Sequence, residues 1–495
     1  MNMLKEKQNI FLWVVALGTV VKSVFTEYGY DASYHVALSW RHINGDRLLG
    51  EMWEPHQTSS FVIDILMMIY RIFVPTMTGV ALYLQITGAI IYTTIVWSLY
   101  CVLCKFCQKK TATIIAVLVL VARPKGSTLI EFSNLLVIAS ILLFNSLYYL
   151  YVKKKILYCV FAAMATCVLV LSYPTSIICF ACIVFVLAKQ DKKYVLCYIG
   201  VCVCIGMLYV MHVGITNGVD TFFETVFNII GGDKTHRVKS VTSIFKIEWD
   251  FPYVINVFFP ILIVMGYFGR KRLNALEKYM WELSCCISLS IFSAVLILTN
   301  LGILSACGYL VLGAAISIVP LSKYVKKYIR LMLVFICGII ILSRGLWIIN
   351  GYSAVNNRFI TNIENVIRDG PTKGIIAPLN IVNEAKESIN DWRLGINEDD
   401  VVLAVGEWII DSSVYLYTNA EIAHYSTINT TTYSEKLEEY WRLYPKKRPT
   451  VIAYKSYQGD TVPTKDTYIG RLIADEYEVE NVGYQWTFYR IKQNN

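Results

Sequence analysis

The chain has 495 residues, of which 56% are hydrophobic and 16% charged, with mean hydropathy +0.50 and a formal net charge of +9. An average soluble domain carries roughly 25% charge, whereas 114–122, 135–151 and 156–171 are apolar on every helical face. Helices apolar all round belong in a large core or a bilayer, and such a succession points to the bilayer. Disorder, a disulfide-built secreted scaffold and a soluble nucleic-acid binder are excluded.

Taken in chain order, basic residues punctuate the apolar runs at Lys5/Lys7, Lys105/Lys109/Lys110, Lys153/Lys154/Lys155, Lys189/Lys192/Lys193, Arg270/Lys271/Arg272 and Lys323/Lys326/Lys327. Lys and Arg in short loops mark the cytoplasmic side. Between successive clusters the apolar sequence is long enough for two spans. The pattern predicts a polytopic α-helical membrane protein with about eleven transmembrane helices, near 10–25, 81–104, 111–122, 132–151, 156–172, 174–188, 194–211, 253–268, 280–299, 301–319 and 328–349. An odd count puts the N-terminus in the cytoplasm and everything after 350 outside. The run 111–122 is short for a bilayer and borrows flanking residues. Segment 60–77 carries Asp64 and Arg71, and counting it as a span would invert every later cluster. It is predicted to be an amphipathic helix along the outer interface. Two long outer loops remain, 26–80 and 212–252, and the first contains a predicted helix Ser33–Asn44 closed by Gly45.

The organisation is therefore a membrane domain over 1–349 and an extracytoplasmic α/β domain over 350–495. In the latter, strand-like runs (Gly374–Ile376, Val401–Val405, Thr450–Ala453, Trp486–Ile491) alternate with helical ones (Ile381–Ser388, Ser434–Leu443). That alternation predicts a mostly parallel sheet, ending in a hairpin of Glu476–Val482 and Trp486–Ile491. Of the 14 cysteines, most sit inside apolar runs, where Cys acts as a small hydrophobe. The Cys104/Cys107 pair lacks the second CxxC that a zinc site would need. No Cys follows Cys337, as suits an exported domain.

Chemistry concentrates in the first outer loop. Tyr28-Gly-Tyr-Asp31-Ala-Ser-Tyr34-His35 follows the first span, then Trp40-Arg41, then Glu51-Met-Trp53-Glu54-Pro55-His56-Gln57-Thr58. Aromatics stack on sugar rings, acids accept sugar hydroxyls and Arg pairs with phosphate. Tyr34, Arg41, Trp53, Glu54 and His56 are candidate substrate contacts on that ground; part of this density is simply what a wet loop carries. Asp31 beside a membrane surface, flanked by tyrosines, suits a general base. The same residue could also cap the Ser33 helix, and the two roles are not exclusive.

An Asp just past the first span, a Tyr and helix behind it, and an interfacial helix after Trp53-Glu-Pro55-His56 resemble the first outer loop of GT-C glycosyltransferases. These use polyprenyl- or dolichyl-phosphate sugars and include protein O-mannosyltransferases and lipid A aminoarabinose transferases. The family's usual paired acid and His/Lys-Pro-Pro-Leu stretch stand here as Asp31-Ala32 and Pro55-His56-Gln57, without the second acid or second proline. The long loops after the first and seventh spans, and the C-terminal outer domain, are likewise similar to that superfamily.

The resemblance implies transfer of a sugar (hexosyl or pentosyl) from a polyprenyl-phosphate donor to a glycan, lipid or protein acceptor, with inversion. It implies Asp31 as catalytic base and Glu131, the one acid between the third and fourth spans, as a second catalytic acid. Glu131 also reads as a solvated helix-start residue complementing the dipole. A divalent cation, Mg²⁺ or Mn²⁺, held by Asp31 and Glu131 is the alternative to base catalysis. In the 212–252 loop, Lys234, His236, Arg237 and Lys239 are implied contacts of the lipid phosphate; they equally suit anionic headgroups. A transporter or flippase of lipid-linked glycans is the competing class, and it would place ionisable groups at the midplane of broken helices.

Overall fold

The computed structural model describes residues 7–24, 28, 30–53, 57–122, 130–225, 253–298, 302–323, 327–350, 365–405, 412–426, 434–455 and 467–492. The helices run in order α1 (Lys7–Val24), α2 (Tyr30–Ile43), α3 (Phe61–Phe73), α4 (Val80–Leu103), α5 (Lys109–Val121), α6 (Phe132–Lys153), α7 (Leu157–Ser172), α8 (Ile177–Ala188) and α9 (Lys192–Asn217). After the short α10 (Val219–Phe223) come α11 (Phe258–Gly269), α12 (Ala275–Leu298) and α13 (Lys327–Asn350). Among the described residues, five segments are long and apolar enough to cross a membrane: Val80–Leu103, Phe132–Lys153, Lys192–Asn217, Val254–Arg272 and Ala275–Ile297. Shorter apolar stretches fall at Ile10–Val24, Leu157–Ser172, Pro174–Ala188, Ile303–Ile316 and Leu331–Leu342, so the figure of about eleven rests on the charge pattern.

The predicted span 301–319 is not one helix. It is broken into Ile303–Cys307, Val311–Ile316 and Ile318–Ser322, with a 3₁₀ turn at Gly308–Leu310. A contact from another helix contributes: the Gly313 amide donates to Ser288 Oγ at 2.8 Å, outside its own helical ladder. Segment 60–77 contains α3, whose 13 residues extend only about 20 Å against the ~30 Å of a bilayer core. It buries Ile63, Asp64 and Met67 and exposes Ile65, Met68, Ile69, Ile72 and Phe73. That two-faced pattern is the one expected of an interfacial helix.

The chain packs as two compact units. The first comprises 1–23, 86–212 and 231–359. Its α6 and α7 are joined by a tight turn in which Lys154 takes the left-handed conformation (φ 56°) and its N–H reaches Leu150 O. Small residues bring α11, α12 and the broken segment together. A Cβ on Gly266 would meet Ser317 and the Trp281 indole, and that indole donates to Ser317 Oγ at 2.9 Å.

The basic clusters gather at one end of this unit. Lys105 Nζ donates to Tyr149 OH at 3.2 Å, and Lys153 Nζ lies 5.0 Å from the centre of the same ring. Lys154 Nζ stands 4.5 Å from the Tyr151 ring centre, and Tyr151 stacks on Tyr279 at 4.3 Å. Arg272 in turn reaches Lys323 O at 3.2 Å.

The second unit comprises 24–85, 213–230 and 360–495. Its C-terminal part contains α14 (Leu379–Gly395), β1 (Val401–Val405), α15 (Ser412–Thr418), β2 (Glu421–Ile422), α16 (Ser434–Leu443), β3 (Val451–Lys455), α17 (Tyr468–Glu476), β4 (Tyr477–Val482) and β5 (Trp486–Ile491). The sheet order is β2-β1-β3-β5-β4. The pairs β1/β2 and β1/β3 are parallel, β3/β5 and β4/β5 antiparallel. The sheet is therefore mixed, not mostly parallel, because the terminal hairpin adds through β5 beside β3. Gly374–Ile376 forms no strand and makes only a bridge, Ile376 to Val366.

One face of the sheet packs Leu403, Val405, Ile452 and Tyr489 with Leu437, Tyr440 and Trp441 of α16 and Ile469, Leu472 and Ile473 of α17. Trp53, from the chain's N-terminal part, is inserted in that same cluster. The α14 end of the sheet is fastened by Asp391, whose carboxylate accepts the amides of Tyr484, Gln485 and Trp486 at 2.7–3.0 Å.

Candidate functional site

The helix α2 organises the second unit. It begins at Tyr30, one turn before the expected Ser33, since nothing in Tyr-Asp-Ala-Ser breaks a helix. Asp31 is thus the second residue inside α2 and not its N-cap, which corrects the capping alternative. Its side chain lies outside the described residues. The first turn of α2 is docked by Ser33, whose Oγ accepts the Ser412 amide at 2.9 Å, while Tyr28 OH lies 3.2 Å from Ser412 Oγ. The turn carrying Asp31 is therefore tied to the start of α15. At the other end, Gly45 takes φ +100° and its amide reaches His42 O at 3.1 Å, as the expected glycine stop requires.

That stop places Asp46 under the last turn of α2. Arg41 Nε donates to Asp46 Oδ2 at 2.6 Å, and Arg41 Nη2 donates to Glu51 O at 2.7 Å and to Tyr440 OH at 3.2 Å. Lys447 Nζ donates to Asp46 Oδ1 at 2.5 Å and approaches Glu421 Oε2 at 3.5 Å. Arg41, Asp46 and Lys447 are all buried. Burial alone would push the Asp46 carboxyl up, but Arg41 and Lys447 outweigh it and hold the group below the usual carboxylate range. His424, fully buried beside this cluster, bonds Ala404 O at 3.0 Å; burial pushes its pKa down to about 3, so it is neutral at physiological pH. A cavity of about 200 Å³ opens here, lined in part by Arg41, Asp46, Glu421 and Lys447.

A second polar pair ties α2 to α3. His42 Nδ1 lies 2.6 Å from Asp64 Oδ2. That hydrogen bond, against the opposing effect of burial, raises the His42 pKa above its ordinary value.

The other sequence-selected residues fall as follows. Tyr34 is buried with Leu38 and Met52. Trp53 is buried edge-on to Tyr440 at 5.2 Å, and its indole N–H donates to Gly50 O at 2.7 Å. Arg41, Tyr34 and Trp53 are thus engaged inside the unit, and Arg41 and Trp53 link segment 30–53 to Tyr440 of the C-terminal part. Glu54 and His56, and Lys234, His236, Arg237 and Lys239, lie outside the described residues. Glu131, in the first unit, is the N-cap residue of α6 but makes no side-chain cap bond and is completely buried. The solvated helix-start reading is corrected by that burial. Among the described residues no group of three or more His, Cys, Asp or Glu side chains is arranged to hold a metal ion. Sequence reasoning passed over Asp46, Tyr440 and Lys447. Asp46 carried a signal, standing just past a glycine helix stop; Lys447, distant in the chain, carried none.

No protein-family model and no curated protein matches the chain. Among solved structures it is similar to ArnT from Cupriavidus metallidurans bound to undecaprenyl phosphate, at 10% identity and TM-score 0.59, covering 97% of each chain. The apo state of ArnT gives 11% identity and TM-score 0.56 over the same 97% of each. The Archaeoglobus fulgidus oligosaccharyltransferase tethered with an acceptor peptide gives 11% identity and TM-score 0.51, covering 99% of this chain and 74% of that one. The chain shares the fold of these structures: long apolar helices followed by a small C-terminal sheet.

Proposed function

We propose that the chain is a membrane glycosyltransferase that moves a sugar from a polyprenyl-phosphate carrier to an acceptor at the outer face of the membrane. The observation that carries this reading is the end-to-end likeness, over 97% of both chains, to a structure bound to undecaprenyl phosphate. In this reading the Lys/Tyr-rich end of the first unit is cytoplasmic, as is the N-terminus, and 350–495 is extracytoplasmic. Asp31 accepts the proton of the acceptor hydroxyl as its oxygen attacks the anomeric carbon. The bond from that carbon to the lipid phosphate breaks, and its electron pair leaves on the phosphate oxygen. A single displacement inverts the anomeric centre. Glu131, completely buried, takes the second catalytic role that the family resemblance implies. Lys234, His236, Arg237 and Lys239 meet the donor phosphate, and Glu54 and His56 contact the sugar. Arg41, Tyr34 and Trp53 hold the loop that presents them.

The test is consumption of defined polyprenyl-phosphate sugars by purified protein. Asp31→Asn removes charge and basicity while keeping shape. Turnover is expected to fall by something like 10²–10⁴-fold, the usual contribution of a positioned base, with unchanged thermal unfolding. Full turnover in a folded Asp31→Asn protein would overturn the role given to Asp31. Absence of lipid-sugar consumption by the wild type across donors would overturn the transferase reading.

A further inference from the structure

The cavity beside the Arg41–Asp46–Lys447 cluster has properties that the cluster itself does not use. Besides those residues it is lined by Trp40, Asn44, Arg71 and Asn419. At about 200 Å³ it is smaller than the roughly 300–1,000 Å³ of sites for drug-sized ligands, and suits a headgroup.

Its lining is donor-rich. Trp40 is buried, and its indole N–H has no acceptor among the described residues. A buried donor left in that state costs free energy that a ligand oxygen would recover. The Arg71 guanidinium lies 5.5 Å from the Trp40 ring centre and donates to Asn44 Oδ1 at 3.0 Å. Among the described residues Arg71 has no carboxylate partner, while the acids that line the cavity already have cations: Asp46 has Arg41 and Lys447, and Glu421 has Lys447. The cavity thus combines an orphan donor and an unneutralised guanidinium, with no unpaired carboxylate.

Arg71 also sits in the last turn of α3, next to the exposed Ile72 and Phe73 and on the helix that exposes Ile65, Met68 and Ile69. An apolar tail lying along α3 would deliver an anionic head to Arg71.

We propose that this cavity is a phosphate subsite for a membrane amphiphile: the phosphate oxygens accept from Arg71 and the Trp40 indole, and the tail follows the exposed face of α3. This site binds whether or not the chain transfers a sugar, so it stands apart from the transferase reading. It is also distinct from the cations at 234–239 assigned to the donor.

The experiment uses the full chain purified in a neutral detergent, with bound lipid counted by native mass spectrometry. The probes are dioleoylphosphatidic acid, dioleoylphosphatidylcholine and inorganic phosphate. Phosphatidic acid is expected to bind about tenfold or more tighter than phosphatidylcholine, whose phosphate is shielded by its own cation. Arg71→Gln should weaken phosphatidic acid by about tenfold, the scale of one charge-assisted hydrogen bond. Trp40→Phe, which keeps an aromatic ring and deletes the N–H, should weaken it several-fold. Arg393→Gln, an exposed arginine on α14 outside the lining, should leave binding unchanged. If Trp40→Phe does not fold, Arg71→Gln decides alone. Competition by millimolar inorganic phosphate would identify the phosphate group as sufficient; its absence with retained lipid binding would make the lipid the source. Equal binding of the two lipids, or wild-type binding in Arg71→Gln, overturns the proposal.

Discussion

Removing the charge of Asp46 should be among the more damaging single changes available outside the membrane helices. The carboxylate accepts Arg41 Nε at 2.6 Å and Lys447 Nζ at 2.5 Å, with side-chain exposures of 0%, 7% and 8% for Arg41, Asp46 and Lys447. Asp46→Asn keeps the volume and leaves the buried Arg41 and Lys447 facing a neutral amide, with the exposed Glu421 3.5 Å from Lys447. Breaking a buried ion pair from one side costs about 3–5 kcal/mol. For a unit of 150–250 residues, each kcal/mol shifts Tm by about 2–4 °C, so a fall of roughly 6–20 °C is expected. Lys447→Met should cost less, because Asp46 keeps Arg41. Tryptophan fluorescence during thermal unfolding in detergent is a suitable assay, since Trp53 lies 5.2 Å from the Tyr440 ring, and Tyr440 itself accepts from Arg41.

The pH dependence supplies an internal control. The folded Asp46 pKa is lowered, so its stabilisation is present above the ordinary value of 3.8 and is lost as pH falls through the lower folded value. Wild type and Asp46→Asn should converge only below that range. A penalty under about 1 kcal/mol at neutral pH, or a greater penalty for Lys447→Met than for Asp46→Asn, would refute the buried-cluster reasoning.

Two further outcomes are open to measurement. The raised His42 pKa means its pairing with Asp64 contributes fully below 6.5 and is lost as pH rises through the folded value. The Tm difference between wild type and His42→Gln should therefore shrink from pH 6 to pH 9, and a constant difference would contradict the assignment. Gly395 closes α14 against β5, and a Cβ there would be driven into the Phe488 ring. Gly395→Ala should cost about 1–3 kcal/mol by overpacking, read as a lower denaturant midpoint, whereas Gly18→Ala, with open space around it, should cost nothing.

Local sequence signals suffice where one element decides its own fate. The runs at 401–405, 434–443 and 486–491 declared β1, α16 and β5 through apolar alternation or helical period. The glycine stop at 45 and the two-faced helix over 61–73 were legible for the same reason. What the sequence hid was set by partners far away in the chain. Ser288 takes the Gly313 amide and helps break an apolar run that reads as one span. The choice of β5 to pair antiparallel with β3 depends on neither strand's own pattern. Trp53 and Arg41 carry the composition of a binding surface, and the distant Tyr440 is one partner that both meet in the interior.

The second unit is stitched from 24–85, 213–230 and 360–495, and this has a consequence for biosynthesis. When Asp46 leaves the ribosome, Lys447 and Tyr440 do not yet exist, and Trp53 has no sheet to enter. At about 5–20 residues per second, the segment around Asp46 waits roughly 20–80 s before its partners are made. During that interval Arg41 lacks Tyr440, Asp46 lacks Lys447, and Trp53 is an exposed aromatic. A chain terminated before 447 would leave the loop permanently in that state, a substrate for quality-control proteases rather than a shorter functional protein.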